Sequence, residues 1–136
     1  MRRSLQSYRQ VSVDSEIAVA SPHRIIQMMF EGALQRIAQS RYAIEHTDPA
    51  TKGINIGKAI GIINGLNNSL NMDAGGEIAA NVSALYDFML RRLSEANINN
   101  DVQALVDVSD MLKTIKEGWD AIPEAQHHIV SHTEAV

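Results

Sequence analysis

The sequence predicts an all-α fold: an antiparallel up-down four-helix bundle with an N-terminal arm and a flexible C-terminal tail. Apolar residues recur at three- and four-residue steps over four stretches of roughly 20 residues each, which is the helical period. Aromatic residues make up only 4% of a chain that is 45% hydrophobic, so the core must be aliphatic. Amphipathic helices of matched length, joined by short loops, alternate in direction without a long crossover. We expect one domain, with the arm at residues 1–20, the bundle at 21–122 and the tail at 123–136.

The first two helices are predicted from residues that typically begin or end a helix as well as from the three- and four-residue spacing of their apolar residues. Ser21 offers a capping hydroxyl and Pro22 follows at the first helical position, while Pro49 disfavours helix in the residue before it. The second helix is predicted over residues 53–72, and a pair of glycines shortly after that stretch closes it. The two apolar stripes are Ile26, Met29, Phe30, Ala33, Ile37 and Ile44, then Ile56, Ala59, Ile60, Ile63, Leu66 and Leu70.

The last two helices are separated by a short polar junction. The third is predicted over residues 77–96, and the fourth continues from the junction to Ile122, where Pro123 stops it. Asn100 and Gln103 have the spacing of a capping box at the start of the fourth helix. The two stripes are Ile78, Val82, Leu85, Met89, Leu93 and Ala96, then Leu105, Val108, Leu112, Ile115, Trp119 and Ile122.

Composition and motifs speak against catalysis, cofactors and metals. The chain has no cysteine, which excludes disulfides and thiolate chemistry, and its net charge of −4 disfavours nucleic acid. No apolar run approaches the ~20 residues of a membrane span, and none follows the basic start, so we expect no secretory signal. Glu124 with His127, and His128 with His132, have metal-ligand spacing, but nothing forces helix there. We expect a cytoplasmic protein that is not an enzyme.

The second and third helices carry more apolar surface than a bundle core requires. Packing against a core needs an arc of about 100°, whereas their apolar arcs span roughly 160° and roughly 200°. This surplus predicts a groove for another apolar element, unless these helices are simply the most buried pair. Gly57, Gly61 and Gly65 share one helix face, which permits close approach of a backbone or merely weakens an exposed helix. The predicted contact residues are Ile56, Gly57, Ile60, Gly61, Ile62, Ile63, Leu66, Phe88, Leu90, Val102 and Val106, with Tyr8 and Val11 of the arm.

Several stretches, in order along about residues 4–122, resemble one known family. They are residues 20–33 at the start of the first helix, 58–66, 70–79, 84–89 and 99–101, and the late Trp119. These stretches are similar to those of FliS, the flagellar secretion chaperones. The resemblance covers nearly the whole predicted bundle and is far more specific than any single motif.

The resemblance implies a cytoplasmic, non-enzymatic helical bundle. Such chaperones bind the C-terminal segment of newly made flagellin, keep it from polymerising early and help deliver it to the export gate. The bound segment wraps round the bundle in apolar grooves, and the N-terminal arm, whose aromatic Tyr8 matches, can lie in a groove when no client is present. We expect flagellin's C-terminal segment as the partner, export-gate and regulatory proteins as further candidates, and a monomer or weak homodimer. The alternative is a regulatory or structural helical module that uses the same grooves.

Overall fold

The structure, a computed structural model, describes residues 20–126 and confirms the predicted all-α four-helix fold. Consecutive helices contact each other, and the first also contacts the last, so the four helices close into a ring. Loops of two or three residues join them, which makes neighbouring helices antiparallel. The elements are α1 (Pro22–Glu45), α2 (Pro49–Asn68), α3 (Met72–Asn99), α4 (Val102–Asp120) and a short 3₁₀ turn (Glu124–Gln126).

Capping side chains explain where α1 and α2 begin. The Ser21 hydroxyl accepts a hydrogen bond from the Arg24 N–H at 3.1 Å, as the sequence predicts. The start of α2 was placed four residues too late. Asp48 caps it by accepting from the Thr51 N–H at 3.2 Å, and Pro49 occupies the first helical position. The proline that ends α1 therefore also opens α2, and α2 ends at Asn68 rather than at residue 72.

The junctions around α3 also differ from the prediction. Helix begins at Met72, and the regular part starts only after Gly76, whose backbone (φ 52°, ψ −124°) is not helical. The predicted capping box of Asn100 with Gln103 is wrong. Asn100 has a left-handed backbone (φ 52°) that ends α3, and Asp101 caps α4 by accepting from the Ala104 N–H at 3.2 Å.

The core is aliphatic with three large rings, and the predicted stripes of α1, α2 and α4 contribute to it as expected. Four of the six residues predicted for the stripe of α3 are buried as expected, namely Val82, Met89, Leu93 and Ala96, but the buried face is rotated so that the other two lie outside. Ile78 and Leu85 are 47% and 40% exposed, whereas Ala79 and Tyr86 are fully buried. Burial raises the pKa of Tyr86 far above its ordinary value. The largest fully buried side chains are Trp119, Tyr86, Phe30, Ile56, Ile63, Leu66, Met89, Leu93, Leu105, Leu112, His23 and Val108.

His23 and Trp119 fasten α1 to α4 and close the ring of helices. Their rings stack with centroids 4.9 Å apart and planes 8° from parallel. Trp119 Nε1 donates to the His23 carbonyl at 2.9 Å, and His23 Nε2 lies 2.7 Å from the Trp119 carbonyl. Because a carbonyl oxygen only accepts, Nε2 carries the imidazole proton. Close by, Gln27 donates to Asp120 at 2.7 Å.

Candidate partner-binding surface

The predicted contact residues of α2 are divided between core and surface. Ile56, Ile63 and Leu66 have no exposed surface, so no partner can contact them while the bundle is folded in this way. Ile60 and Ile62 are half-buried and pack against the core. Tyr8 and Val11 of the arm lie outside the described residues.

The strongest candidate surface is an exposed, uncharged strip on the outer side of α3. Ile78, Leu85 and Phe88 are 47%, 40% and 41% exposed. Asn81 and Ala84 are exposed on the same side and complete what we call the α3 strip. At 1.5 Å per residue the strip is about 15 Å long, three turns of helix, without a charged side chain. Large apolar side chains exposed in a row, rather than singly, are typical of a surface that binds another protein.

Three other predicted residues of α3 and α4 lie away from the strip. Leu90 is half-buried and packs against the core on the flank that faces α2. Val106, half-buried, helps to line a cavity of about 240 Å³ between α1 and α4, together with Ile37 and Lys113. Val102 is half-buried at the start of α4. The predicted residues therefore do not form a single groove between α2 and α3.

An apolar notch of about 290 Å³ between α1 and α2 was not among the predicted sites. It is lined by Ile25, Met28, Met29 and Ile62, of which the sequence analysis had singled out only Ile62 as a contact residue. Methionine side chains are unbranched and polarisable, so they adapt to differently shaped apolar partners. The notch lies at the start of α1, close to where the described chain begins.

Glycines allow α1 and α2 to pack closely beside this notch. A Cβ atom on Gly32 would lie 3.4 Å from Cδ1 of Ile62, and a Cβ atom on Gly65 would lie 2.9 Å from Cε of Met29. Close approach therefore accounts for Gly65, although its neighbour is a side chain rather than a backbone. Gly57 and Gly61 have nothing within 4 Å of an added Cβ and face solvent.

This difference predicts different effects of alanine at Gly57, Gly61 and Gly65, three of the four glycines of α2. We expect Gly57→Ala and Gly61→Ala each to raise the free energy of unfolding by about 0.4–1 kcal/mol, because alanine fits the helix and restricts the unfolded chain. Gly65→Ala should raise the free energy of unfolding by less than this, or lower it, because the Met29 side chain must move to make room for the added Cβ atom. Urea denaturation followed by circular dichroism measures all three. Equal gains at Gly57 and Gly65 would contradict the close contact with Met29.

Arg92 joins the end of α3 to α4 through three carboxylates. It lies within ion-pair distance of Glu95, Asp101 and Asp107, with Nη2 2.8 Å from Asp107 Oδ2. Hydrogen bonds to Asp107 and Glu95 raise the pKa of Arg92. Hydrogen bonds from Gln103 and then Arg92 lower the pKa of Asp107. Arg92 is thus engaged within the bundle and is not available to a partner.

Ile78 and Leu85 belong to the predicted core stripe of α3, so their exposure differs from what the sequence pattern predicts. The signal that could have found them is Tyr86, whose large ring, together with Ala79, defines an alternative stripe one position further along α3. Other large apolar side chains, Tyr42, Ile54 and Ile98, are exposed singly, which is ordinary for a protein surface.

Within residues 20–126, the structure contains neither a metal-binding cluster of side chains nor a helix that could span a membrane. There, no three His, Asp or Glu side chains are close enough to hold a metal ion. Glu124 is exposed in the 3₁₀ turn, while His127, His128 and His132 lie outside the described residues. In the same part of the chain, none of the helices has both the length and the apolar character of a membrane span.

Comparison with known proteins gives one consistent family. The family described as "Flagellar protein FliS" matches residues 4–126. The flagellar secretion chaperone FliS of Vibrio cholerae is 44% identical over 131 residues, 96% of this chain and 96% of that protein. FliSB of Pseudomonas aeruginosa is 47% identical over 120 residues, covering 88% of this chain and 95% of that protein. FliS of Salmonella typhimurium is 46% identical over 119 residues, covering 87% and 88%.

Proposed function

The chain belongs to the FliS family of flagellar secretion chaperones, and from that premise we propose that it binds the C-terminal segment of flagellin. In this proposal the bound segment is kept from polymerising early and is handed to the flagellar export apparatus. The role is that of a cytoplasmic export chaperone and involves no catalysis. Export-gate and regulatory proteins are proposed further partners, and the protein works as a monomer or weak homodimer.

The observation that carries the proposal is the α3 strip. Fully burying a side chain such as Leu or Phe stabilises a complex by about 1.5–3 kcal/mol, and Ile78, Leu85 and Phe88 each retain close to half of their surface to bury. Ordering a disordered client costs about 2–5 kcal/mol of that gain. The gain from the three side chains and the cost of ordering the client are of similar size, so the client must also bury apolar side chains on other faces of the bundle. Burial on the strip also removes the client's apolar residues from self-assembly.

Two further surfaces support a client that contacts more than one side of the bundle. The notch around Met28 and Met29 and the cavity beside Val106 both involve α1, on the sides away from α3. A segment that wraps round the bundle could contact each of these surfaces in turn. Contacts of Ile60, Gly57 and Gly61 with the client stay part of the proposal, because all three retain exposed surface.

Isothermal titration calorimetry with the C-terminal segment of the cognate flagellin tests the function. We expect measurable heat and one-to-one binding, together with slower polymerisation of full-length flagellin when the chaperone is present. Absence of both effects would rule out the chaperone role. Binding without protection from polymerisation would favour a regulatory or structural module instead.

Removing residues 1–18 tests the proposed role of Tyr8 and Val11, which we propose cover an apolar groove until the client arrives. The truncated chain should bind the flagellin segment with altered affinity, because a competitor for the groove has been removed. We expect the urea midpoint of the bundle to change little. A loss of helicity on truncation would mean that the arm belongs to the core.

A further inference from the structure

The α3 strip lies between two exposed residues of opposite charge. Glu77 precedes the strip and Arg91 follows it, 14 positions and about 21 Å apart along the helix. Neither forms an ion pair within residues 20–126. Gly76, whose backbone is not helical, lies just before Glu77, so the strip and both charges share the regular part of α3. The strip therefore has a negative and a positive end.

The charges near the strip leave its apolar part uncharged. The guanidinium carbon of Arg91 lies 5.9 Å from the centre of the Phe88 ring, within the range of cation–π contact, so this cation is held at the end of the strip. Asp87 is the only charged residue between Glu77 and Arg91 in the sequence. It lies on the flank facing α2, where Asn67 donates a hydrogen bond to it at 3.4 Å.

The two halves of the strip also complement each other in side-chain size. The C-terminal half carries Leu85 and Phe88, which are 40% and 41% exposed. The N-terminal half carries the shorter Asn81 and Ala84, which are exposed as well. When two copies of α3 lie antiparallel about an axis between positions 84 and 85, each Phe88 lies opposite an Asn81 and each Leu85 opposite an Ala84. The large side chains of one copy then meet small side chains of the other, as close packing of helices requires.

We propose that, in the absence of a client, the α3 strips of two copies of this chain pack against each other in a symmetric antiparallel dimer. Each Glu77 then lies beside the Arg91 of the other copy, so that an ion pair forms at both ends. Each Ile78 contacts the aliphatic stem of the same arginine, since such stems pack along apolar surface. A two-fold contact places one patch against itself, and this strip is complementary to itself in both charge and size.

A parallel pair of the same helices has neither kind of complementarity. Glu77 would face Glu77 and Arg91 would face Arg91, so both ends would repel. Phe88 would meet Phe88, while the small residues would face each other and leave a gap. Charge and size therefore select the same, antiparallel arrangement.

The extent of the contact predicts a weak dimer. A contact confined to about four turns of one helix buries less than the roughly 800 Å² per partner of a standard protein interface. We therefore expect a dissociation constant on the order of 100 µM, typical of a transient contact. A dimer of this strength covers the strip in concentrated solution and yields it to a client that binds more tightly.

Charge reversal with complementary variants tests the dimer without any client. Sedimentation equilibrium of the unmodified chain should show the mean mass rising from monomer towards dimer with concentration. Arg91→Glu and Glu77→Lys should each weaken self-association by about 4- to 25-fold at low salt, because each removes two ion pairs worth about 2- to 5-fold apiece. An equimolar mixture of the two variants should associate as well as the unmodified chain, because every facing pair is then opposite in charge.

The control for this experiment is Lys58→Glu, which changes the net charge as Arg91→Glu does. Lys58 is exposed on α2, away from the strip, so we expect its reversal to leave self-association nearly unchanged. A mass that stays monomeric at every concentration would overturn the proposal. So would an equal loss with Lys58→Glu, or a mixture of the two strip variants that associates no better than either alone.

The antiparallel arrangement can be tested by disulfide formation, because the chain contains no cysteine of its own. In the proposed dimer the two copies of Ala84 lie next to the axis, whereas the two copies of Asn81 are displaced by about 10 Å along it. That displacement exceeds the distance a disulfide can bridge. Ala84→Cys should therefore form a linked dimer under mild oxidation, and Asn81→Cys should not. Equal linkage of both variants would indicate a parallel pair and overturn the proposal.

Masking of the strip rests on the proposed function, whereas the dimer itself does not. The linked Ala84→Cys dimer should bind the flagellin segment at least about 10-fold more weakly than the same variant after reduction, measured by calorimetry. Equal binding would overturn the masking of the strip by the second copy. A segment that gives no heat even with the unmodified chain would defeat the proposed function alone, because sedimentation and disulfide formation involve no flagellin.

Discussion

Aspartate at both Leu85 and Phe88 will weaken binding of the flagellin segment by at least about 100-fold, because the double change removes the apolar centre of the strip. Because Leu85 and Phe88 are 40% and 41% exposed, losing their burial in the complex costs about 1–2.5 kcal/mol of binding energy, and ten-fold in affinity corresponds to about 1.4 kcal/mol. A complex that still formed would also have to bury two carboxylates without partners, which adds to the cost. Calorimetry against the unmodified chain measures the loss.

The structure supplies a matched control for this experiment. Tyr42 and Ile98 are 62% and 80% exposed and lie off the α3 strip and off the face of α2 that carries Gly57 and Gly61, so Tyr42→Asp with Ile98→Asp places two carboxylates elsewhere on the surface. We expect this control to bind the segment within about three-fold of the unmodified chain. Both double variants should unfold in urea as cooperatively as the unmodified chain. If the control lost as much affinity as the strip variant, the strip would not be the binding surface.

Trp119→Ala will lower the free energy of unfolding by about 3–5 kcal/mol, the cost of emptying a large buried aromatic site. Domains of this kind are stable by only about 5–15 kcal/mol, so the change removes a substantial share. The side chain is fully buried and stacks on His23, and its loss also deprives the His23 carbonyl of a donor. The effect should be larger than that of any single substitution on the α3 strip.

Trp119→Phe separates the contribution of the buried aromatic ring to stability from that of the hydrogen bond to the His23 carbonyl. Phenylalanine keeps most of the volume but cannot donate to the His23 carbonyl, so we expect about 1–3 kcal/mol of destabilisation. Because Trp119 is the only tryptophan, circular dichroism must replace intrinsic fluorescence as the probe. A cost below 1 kcal/mol for Trp119→Ala would mean that α1 and α4 hold together without this contact.

The four helices could be predicted because the helical apolar period runs through each of them, and in α1 the cap agrees with that period. Ser21 with Pro22 and the three- and four-residue steps of α1 each indicate the same element, and the structure confirms both. The start of α2 was missed because a proline is compatible both with the end of one helix and with the first turn of the next. Pro49 disfavours helix in the residue before it but is well suited to the first turn of the next helix, and only the capping carboxylate of Asp48 decides between them.

The phase of α3 could not be predicted for a physical reason. When apolar residues spread over about 200° of a helix, several rotations bury a similar area, and packing against neighbouring helices decides among them. Here the ring of Tyr86 is buried and Leu85 is left outside. The surplus apolar surface that the sequence indicated on α3 is therefore real, but its members are Ile78 and Leu85 together with Phe88, the one of the three that was predicted.

On α2, the sequence pattern could not separate residues that contact a partner from residues of the core. The same period that marks a helix face as apolar cannot tell whether that face is covered by the protein itself. Ile56, Ile63 and Leu66 are covered, and they hold the bundle together. Only residues at the edges of the apolar arc, such as Ile60 and Ile62, retain surface for a partner.

The closed ring of helices has a mechanical consequence for the α3 strip. Because His23 and Trp119 fasten the two ends of the chain's helical part to each other, a pull on anything attached to the strip is borne by the whole bundle. In the proposed complex, a client segment held on the outside of α3 would come away from one turn of the strip at a time, because Ile78, Leu85 and Phe88 are spread over three turns, and the bundle would stay folded when the client leaves.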